Sequence, residues 1–491
     1  MNIKKIKLKK IDLILVFYII ATIFFAVPSI IYYIQHKTIL KFDFEFKFLL
    51  TDSISRIDQT IIYIAILTTI TIIYLAILKK RKEIFNNTKK MFIFIGIIAI
   101  LFIVVIPFTS SDIFYYLGVG RIDSKYGQNP YYTTIKEFVE SGENSKYLEQ
   151  DTVLQQGYIN YWSDTTVVYG SIWVLICKFV ASLSFGNIDI GLFVFKLVNV
   201  IVHLLNCYLI YKISGKKIFT LLYGLNPLIL IEAIASVHND IFMILFILLA
   251  FYFLLKKKNP VVSVEFLAIA TGIKYFAIIL LPFMIIYHFR EEKTLKRFIK
   301  CIEYGILYLI IFAIPYLFYI KDIQVFSGLQ VQQQKFAKSF YIILLEYFNS
   351  IPNIANTVSN FLLKSFVIIY FYTCVTLLNK KEIKFRKEIQ KANYFIIAFL
   401  FLLITNFQPW YIMWLFPALI WQKADDIRLI MQISLVSQFA NSVFLINGEG
   451  WKNGTPFMFI MVTSILGLVL YQTRKKRYKY QNHKGEKKCK E

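Results

Sequence analysis

Charged residues and cysteines are both scarce in this chain. Of its 491 residues only 17% are charged, whereas soluble globular proteins average about 25%. The sequence also lacks a P-loop and a dinucleotide-binding glycine fingerprint. The few cysteines are scattered, mostly within apolar runs, and their spacing suggests neither a metal site nor a disulfide, so we interpret them as small core residues. They are Cys177, Cys207, Cys301, Cys374 and Cys489.

Long apolar runs dominate the rest of the sequence. Hydrophobic residues make up 57% of the chain, with a mean hydropathy of +0.59, and runs long enough to cross a hydrocarbon layer of about 30 Å recur throughout. No stretch resembles a soluble domain. The first run has no convincing small-residue cleavage site after it, so we expect a retained span rather than a signal peptide. The sequence predicts an all-α polytopic protein of the cytoplasmic membrane.

Lysine and arginine clusters indicate the topology. The net charge is +25, and the clusters lie between apolar runs, as in cytoplasmic loops that face anionic lipid. Nucleic acid is not an expected partner, because no basic face interleaved with aromatics occurs in a soluble setting. Both termini are expected in the cytoplasm. The clusters lie at 4–10, 79–90, 212–217, 256–258, 290–300, 380–391 and from 474 onward.

This topology predicts about fourteen membrane crossings. The apolar piece 169–185 is assigned to the membrane interface, because counting it as a span would move Lys212, Lys216 and Lys217 to the outer face. Residues 109–189 then form the first large outer loop. A lysine at the bilayer centre is costly, so Lys274 favours two short spans over one tilted helix. The predicted spans are 11–34, 59–78, 91–108, 190–211, 218–235, 240–255, 261–273, 275–289, 298–319, 358–378, 393–407, 410–422, 427–446 and 456–472.

Asp112 is the leading candidate for chemistry. It directly follows an apolar span, where partial desolvation of a carboxylate raises its basicity and suits a general base. The alternative is a helix N-cap, a role that Ser111 or Asp112 would fill well and that position alone favours.

Three further outer boundaries carry polar or aromatic side chains. The short connection of His238, Asn239 and Asp240 could bind a metal, hold a phosphate or orient hydroxyls, or could be a solvated turn. Lys274 could hold a lipid-linked phosphate or snorkel to the surface. Trp410 could stack on a sugar or belong to an interfacial aromatic belt. All of them lie on the same predicted face as Asp112, which favours one composite site.

The order of these motifs resembles the GT-C glycosyltransferases, and more narrowly is similar to polyprenol-phosphate-mannose-dependent mannosyltransferases. The resemblance covers about 90–425; a departure is Ser171, where a proline is usual after Tyr169 and Gly170. Besides Asp112, the matching residues that we expect to contact substrate are Ser111, Tyr115, Tyr116, Arg121, Asn129, Tyr131, Tyr169, His238, Asn239, Asp240, Lys274, Tyr275, Gln408, Trp410 and Tyr411.

The resemblance implies a GT-C-like helical bundle with interfacial helices in the first large outer loop. It assigns Asp112 as the base that deprotonates an acceptor hydroxyl while the hydroxyl attacks the anomeric carbon with inversion. The implied donor is a polyprenyl-phosphate hexose, with mannose favoured, and the acceptor a glycan, lipid or cell-wall polymer at the outer leaflet. Lys274 and Arg121 would offset charge on the departing phosphate. No cofactor is required, although His238 and Asp240 could hold a divalent metal.

The resemblance also implies a division of the chain. Residues 1–90 would carry two N-terminal spans, 91–425 the catalytic membrane core, 426–472 C-terminal spans and 473–491 a basic cytoplasmic tail. The main alternative is a transporter or flippase of lipid-linked saccharides, but we see no internal repeat, and the outer loop is long for that class. An oligosaccharide polymerase or ligase would carry its long outer loop later in the chain. The Ile- and Lys-rich composition is typical of a bacterium with an AT-rich genome.

Overall fold

The fold is helical throughout the described residues. The computed structural model describes residues 12–40, 47–329, 354–404 and 406–447, with a few isolated positions from 461 to 467, and these ranges contain no strand. Helices suit an apolar chain in lipid because every backbone N–H and C=O can pair within the segment. The prediction of an all-α membrane protein is confirmed.

Short helices alternate with long ones along the chain. The described residues contain two π-helical segments, Ile229–Ala235 and Phe399–Leu403, and 3-10 segments that include Phe102–Val104, Tyr275–Leu280 and Pro409–Leu415. The α-helices are α1 Asp12–His36, α2 Arg56–Ile84, α3 Thr88–Leu101, α4 Asp112–Ser124, α5 Ile135–Glu140, α6 Thr152–Tyr158, α7 Ser171–Leu183, α8 Ile188–Ser214, α9 Lys217–Gly224, α10 Asp240–Leu255, α11 Pro260–Thr271, α12 Leu281–His288, α13 Thr294–Ala313, α14 Ile354–Leu378, α15 Phe385–Ala398, α16 Ala424–Ala440 and α17 Ser442–Asn447.

Six helical segments in the described ranges are long and apolar enough to cross a bilayer. In the first of them, Phe17, Phe24 and Ile34 are exposed while Tyr18 and Phe25 are buried. Exposed apolar faces of this kind suit lipid rather than water. The six segments are Asp12–His36, Arg56–Ile84, Ile188–Ser214, Thr294–Phe318, Thr357–Leu378 and Ala424–Ile446.

The predicted count of about fourteen crossings is not supported. The described residues provide six spans, or seven if the pair Lys217–Gly224 and Ile229–Ala235, bent by 59°, is one broken span. Other predicted spans are short helices, such as Asp240–Leu255 with 16 residues and Pro260–Thr271 with 12, against about 20 for a straight crossing. Hydropathy counts every apolar run but does not show where turns interrupt a helix. The predicted span 456–472 lies almost wholly outside the described residues.

The helices of the predicted outer loop, residues 109–189, pack closely on one another. A Cβ on Gly118 of α4 would lie 2.9 Å from the Cα of Gly157 in α6, and Gly120 lies against the backbone carbonyl of Cys177 in α7. Only glycine permits such close approach of two backbones. The 13 residues of α7 extend about 20 Å at 1.5 Å per residue, which is too short for a crossing. Its location at the membrane interface stays a prediction.

The start of α7 is anchored on the end of α11. Ser171 begins the helix although no proline is present, and Gly170 occupies the N-cap position. The amides of Ile172 and Trp173 donate to the carbonyl of Gly272, at 2.9 and 3.3 Å. This contact fixes the start of α7 beside the segment that carries Lys274.

Candidate active site

Asp112 is the first residue of α4 and its side chain is 16% exposed. Ser111 occupies the N-cap position but its side chain makes no capping hydrogen bond. The Asp112 carboxylate accepts a hydrogen bond from the hydroxyl of Tyr116, one turn along the helix, at 3.2 Å. The carboxylate is therefore oriented by a neighbour and largely desolvated, yet it remains accessible to a substrate.

His238, in the turn before α10, lies next to Asp112. Its Nδ1 lies 3.7 Å from Asp112 Oδ2, and its Nε2 lies 3.3 Å from Oε2 of Glu232. The preceding residue, Val237, has φ of 59°, which is rare for a β-branched residue. Trp410 stacks on the imidazole, with ring centroids 3.6 Å apart. The buried indole belongs to this cluster rather than to a lipid-facing aromatic belt.

Lys274 and Asp240 form a buried ion pair close to this cluster. Lys274 Nζ donates to Asp240 Oδ1 at 2.7 Å, and its side chain is 13% exposed. The same carboxylate oxygen accepts a hydrogen bond from the indole N–H of Trp414. The ammonium also lies over the ring of Tyr411, 4.4 Å from its centroid. Lys274 therefore does not snorkel to the surface; burial with its partners holds it in place.

A group of tyrosines joins residues 116–169 to the same region. The hydroxyls of Tyr116 and Tyr169 are 3.2 Å apart, and Tyr131 donates to the carbonyl of Tyr169 at 2.8 Å. Tyr275 approaches that carbonyl at 3.4 Å and contacts the hydroxyl of Tyr316. Burial, together with the nearby Asp112 carboxylate, raises the pKa of Tyr169 well above its ordinary value. Its hydroxyl therefore stays protonated and can donate a hydrogen bond at neutral pH.

Other residues with predicted substrate contacts have structural partners. Arg121 Nε lies 2.5 Å from Asp151 Oδ2, with both side chains buried. Arg121 is nine residues after Asp112 on α4, a rise of about 13 Å. The Tyr115 hydroxyl donates to the carbonyl of Thr165 at 3.0 Å.

The remaining predicted contacts are also engaged within the protein. Asn129 donates to the carbonyl of Tyr319 at 2.6 Å, and the carbonyl of Ser111 accepts from Asn160 at 3.0 Å. Gln408 donates to Asn406 at 3.0 Å. Asn239 Oδ1 approaches Lys274 at 3.4 Å, whereas its side-chain amide nitrogen has no partner in the described part of the chain.

Comparison with known proteins supplies the family. A family model described as "Alpha-(1->6)-mannopyranosyltransferase, N-terminal domain" matches residues 37–290, more than half of the chain. The chain belongs to this family. Alpha-(1->6)-mannopyranosyltransferase A of Corynebacterium glutamicum is 25% identical over 199 residues, which are 39% of this chain and 38% of that protein. The chain thus aligns with well under half the length of this relative. The predicted likeness to membrane mannosyltransferases is confirmed.

Two residues of this site were not predicted from the sequence. Glu232 and Trp414 contact His238 and Asp240 respectively. Glu232 could have been found, because it is an acidic residue inside the predicted span 218–235, and ionisable residues within apolar spans are rare and usually functional. No local signal distinguishes Trp414 from other aromatics near a membrane boundary.

The surroundings of His238 and Asp240 do not suit the divalent metal that the sequence left possible there. No group of three His, Cys, Asp or Glu side chains in the described part of the family member could hold a metal ion. Asp240 Oδ1 accepts from an ammonium and an indole N–H, and the ammonium beside this carboxylate would repel a metal cation. The nitrogens of His238 face Asp112 and Glu232 instead. We therefore assign no chemical step to a metal.

Proposed function

We propose that this protein transfers a hexose, mannose in the favoured case, from a polyprenyl-phosphate donor to a glycan, lipid or cell-wall polymer at the outer leaflet. The observation that carries the proposal is the partly exposed Asp112 carboxylate beside the His238–Trp410 stack, in a member of a mannopyranosyltransferase family. The Lys274 ammonium belongs to the same polar region. Together these groups supply a base, an aromatic surface and a cation.

The proposed reaction is a single displacement at the anomeric carbon. Asp112 takes the proton of an acceptor hydroxyl while the oxygen attacks, and the bond from carbon to the phosphate oxygen breaks with its electron pair going to the phosphate. A single displacement inverts the configuration, so an α-linked product would require a β-linked donor. Polyprenyl phosphate is already a good leaving group, and this chemistry needs no nucleotide.

Lys274 is proposed to hold the donor phosphate. Its ammonium has three N–H donors, and among the described residues Asp240 alone accepts at short range, with Asn239 at 3.4 Å. A remaining donor is free to meet a phosphate oxygen and to stabilise charge that develops during departure. Pairing with Asp240 prevents the cation from turning away to water.

The proposed orientation puts this site outside the cell, in a bacterial cytoplasmic membrane with both termini inside. It follows from the distribution of lysine and arginine between apolar runs. Membrane lipids are the surrounding partners, and no nucleic acid is expected. Labelling of an exposed outer-loop position, Ser141→Cys, with an impermeant maleimide on intact cells tests this orientation.

A transfer assay tests the function. Purified protein in lipid vesicles would receive radiolabelled polyprenyl-phosphate mannose and a membrane lipid extract, with wild type compared with Asp112→Asn. Asp58→Asn is the matched control, because Asp58 is an exposed carboxylate in the first turn of α2. We expect Asp112→Asn to lose about 100-fold or more in rate and Asp58→Asn to retain wild-type rate. Equal transfer by wild type and Asp112→Asn would contradict the assignment. Saccharide movement across the vesicle without bond formation would instead favour a transporter.

A further inference from the structure

Glu232 is a buried carboxylate surrounded by neutral donors. Gln438 and Asn441 donate to Oε1 at 2.8 and 3.0 Å, and Thr109 donates to Oε2 at 2.9 Å. No lysine or arginine lies within ion-pair distance in the described part of the chain; the one titratable partner there is His238. A buried charge without a partner is costly. Glu232 is therefore placed to stabilise a positive charge that arrives on the His238 ring.

The His238 ring lies between two carboxylates. Nε2 faces Glu232 at 3.3 Å and Nδ1 faces Asp112 at 3.7 Å, and neither nitrogen has an aligned hydrogen bond to a described residue. Catalytic hydrogen bonds are often long before substrate binds and shorten in the reacting complex. The ring face lies on Trp410, and an indole face also stabilises a cation.

Local backbone geometry links Glu232 to His238. Glu232 belongs to the π-helical segment Ile229–Ala235, and its carbonyl accepts the amide of His238 at 3.1 Å. Val237, between them, adopts the left-handed φ of 59°. π-helical turns and strained φ values persist where a function requires them. The turn presents the ring to Glu232 and to Asp112 at once.

We propose that Glu232 is a positioning residue that acts through His238, and that His238 receives the proton which Asp112 takes from the acceptor. This inference rests on the proposed function. The relay requires a neutral ring that carries its proton on Nε2, towards Glu232 at 3.3 Å, and presents the lone pair of Nδ1 to Asp112 at 3.7 Å. The acceptor O–H bond breaks, its proton moves to Asp112 and then to Nδ1, and the resulting imidazolium is balanced by Glu232.

The relay passes the proton to His238, which is a stronger base than Asp112. An ordinary aspartate has a pKa of about 3.9 and an ordinary histidine about 6.5, so the proton is more stable on the imidazole. Glu232 increases that preference by stabilising the cation, as the buried carboxylate does beside the histidine of serine hydrolases. Asp112 is then returned to its charged form, and once the product has left the imidazolium gives its proton back through Asp112 to water, which restores the neutral ring for the next transfer.

Substitution of Glu232 tests the relay. We expect Glu232→Gln, which keeps size and hydrogen bonding but removes charge, to lower kcat by about 10- to 100-fold with the KM for polyprenyl-phosphate mannose within twofold of wild type. In the His238→Ala background, the same substitution should have no further effect on kcat. An equal loss in both backgrounds, or a wild-type kcat for Glu232→Gln, would overturn the proposal.

Exchanging the side chains of Glu232 and Gln438 tests whether Glu232 acts on His238 or only stabilises the fold. Glu232→Gln combined with Gln438→Glu keeps a carboxylate–amide hydrogen bond at this place but moves the charge away from His238. We expect this double variant to unfold at the wild-type temperature and to keep the low kcat of Glu232→Gln. Recovery of kcat would show that only the buried charge mattered and would overturn the proposal.

A spectroscopic measurement does not depend on the identity of the substrate. The chain has five histidines, so ¹⁵N-histidine labelling gives few signals, and the His238→Ala variant assigns those of His238. We expect Glu232→Gln to shift the His238 ring signals, and unchanged signals would overturn the proposal. If wild type does not use polyprenyl-phosphate mannose but the signals shift, the proposed donor fails while the Glu232–His238 coupling stands.

Discussion

The imidazole of His238 and the indole of Trp410 stack face to face, with centroids 3.6 Å apart and planes inclined by 15°. Aromatic pairs of this kind contribute about 0.5–1.5 kcal/mol beyond the area they bury. We expect Trp410→Leu to lower kcat by up to about tenfold and Trp410→Phe to lower it less, because a ring face is retained. Trp421→Leu is the control, since Trp421 packs on Phe251 and Phe385. A wild-type rate for Trp410→Leu would argue against a role for the stack.

The Lys274–Asp240 pair predicts coupled effects on stability and donor binding. Removing one partner of a buried pair leaves the charge of the other unpaired, which lowers the free energy of unfolding by about 3–5 kcal/mol. We expect Lys274→Met to lower the unfolding temperature, and Lys274→Met with Asp240→Asn to recover most of it while the KM for the donor stays high. The surface pair of Lys300 and Glu303, whose side chains are 30% and 48% exposed, provides the control, because Lys300→Met should change neither quantity. Recovery of the KM in the double variant would contradict phosphate binding by Lys274.

The buried pair of Arg121 and Asp151 predicts a structural role for Arg121. We expect Arg121→Met and Asp151→Leu each to lower the free energy of unfolding by about 3–5 kcal/mol. The KM of the folded fraction for the donor should not change, because the guanidinium is held by Asp151 and not by substrate. Thermal unfolding and transfer kinetics measure the two quantities. Normal unfolding with a raised KM would support the phosphate-binding role that the family resemblance implies.

The contacts of Lys196 predict that its removal makes the backbone next to the site more mobile. It is buried in α8, and its ammonium donates to the backbone carbonyls of Ile103 and Val105, just after α3. These carbonyls belong to the end of a helix, where acceptors lack intrahelical partners. We expect Lys196→Met to speed hydrogen exchange of the amides from 105 to 112 and to lower kcat.

Lys178→Met is the matched control for Lys196→Met. Lys178 pairs with Asp123 and is 45% exposed, so its removal should leave exchange of residues 105–112 unchanged. Identical exchange in the two variants would show that Lys196 does not hold this segment.

Much of the membrane character could be predicted from the sequence, whereas the number of spans could not. The runs 11–34 and 59–78 became α1 and α2, because a long uninterrupted apolar run has few alternatives in lipid. The run 410–422 instead contains two 3-10 segments, Pro409–Leu415 and Leu419–Trp421. A hydropathy average is blind to such breaks, since it measures composition and not backbone continuity.

The residues of the candidate site could also be predicted only in part. Asp112, His238 and Lys274 were predicted from their positions after apolar runs, and the structure brings His238 to Asp112 and Lys274 to Asp240. Arg121 was expected at the site from the family resemblance, yet it pairs with Asp151. Motif order shows which residue types are present, but it does not show which partner each of them meets.

The sequence by itself determined that this is a helical membrane protein with Asp112 at the start of a long polar loop, because hydropathy and capping act over a few neighbouring residues. Only the tertiary structure decided that Glu232, His238 and Asp112 form one chain of contacts beside Trp410. The contacts of His238 with Asp112 and with Trp410 join residues far apart in sequence. They depend on a π-helical turn, a strained Val237 and short helices packed at glycines, and such geometry is set by the packing of the whole chain.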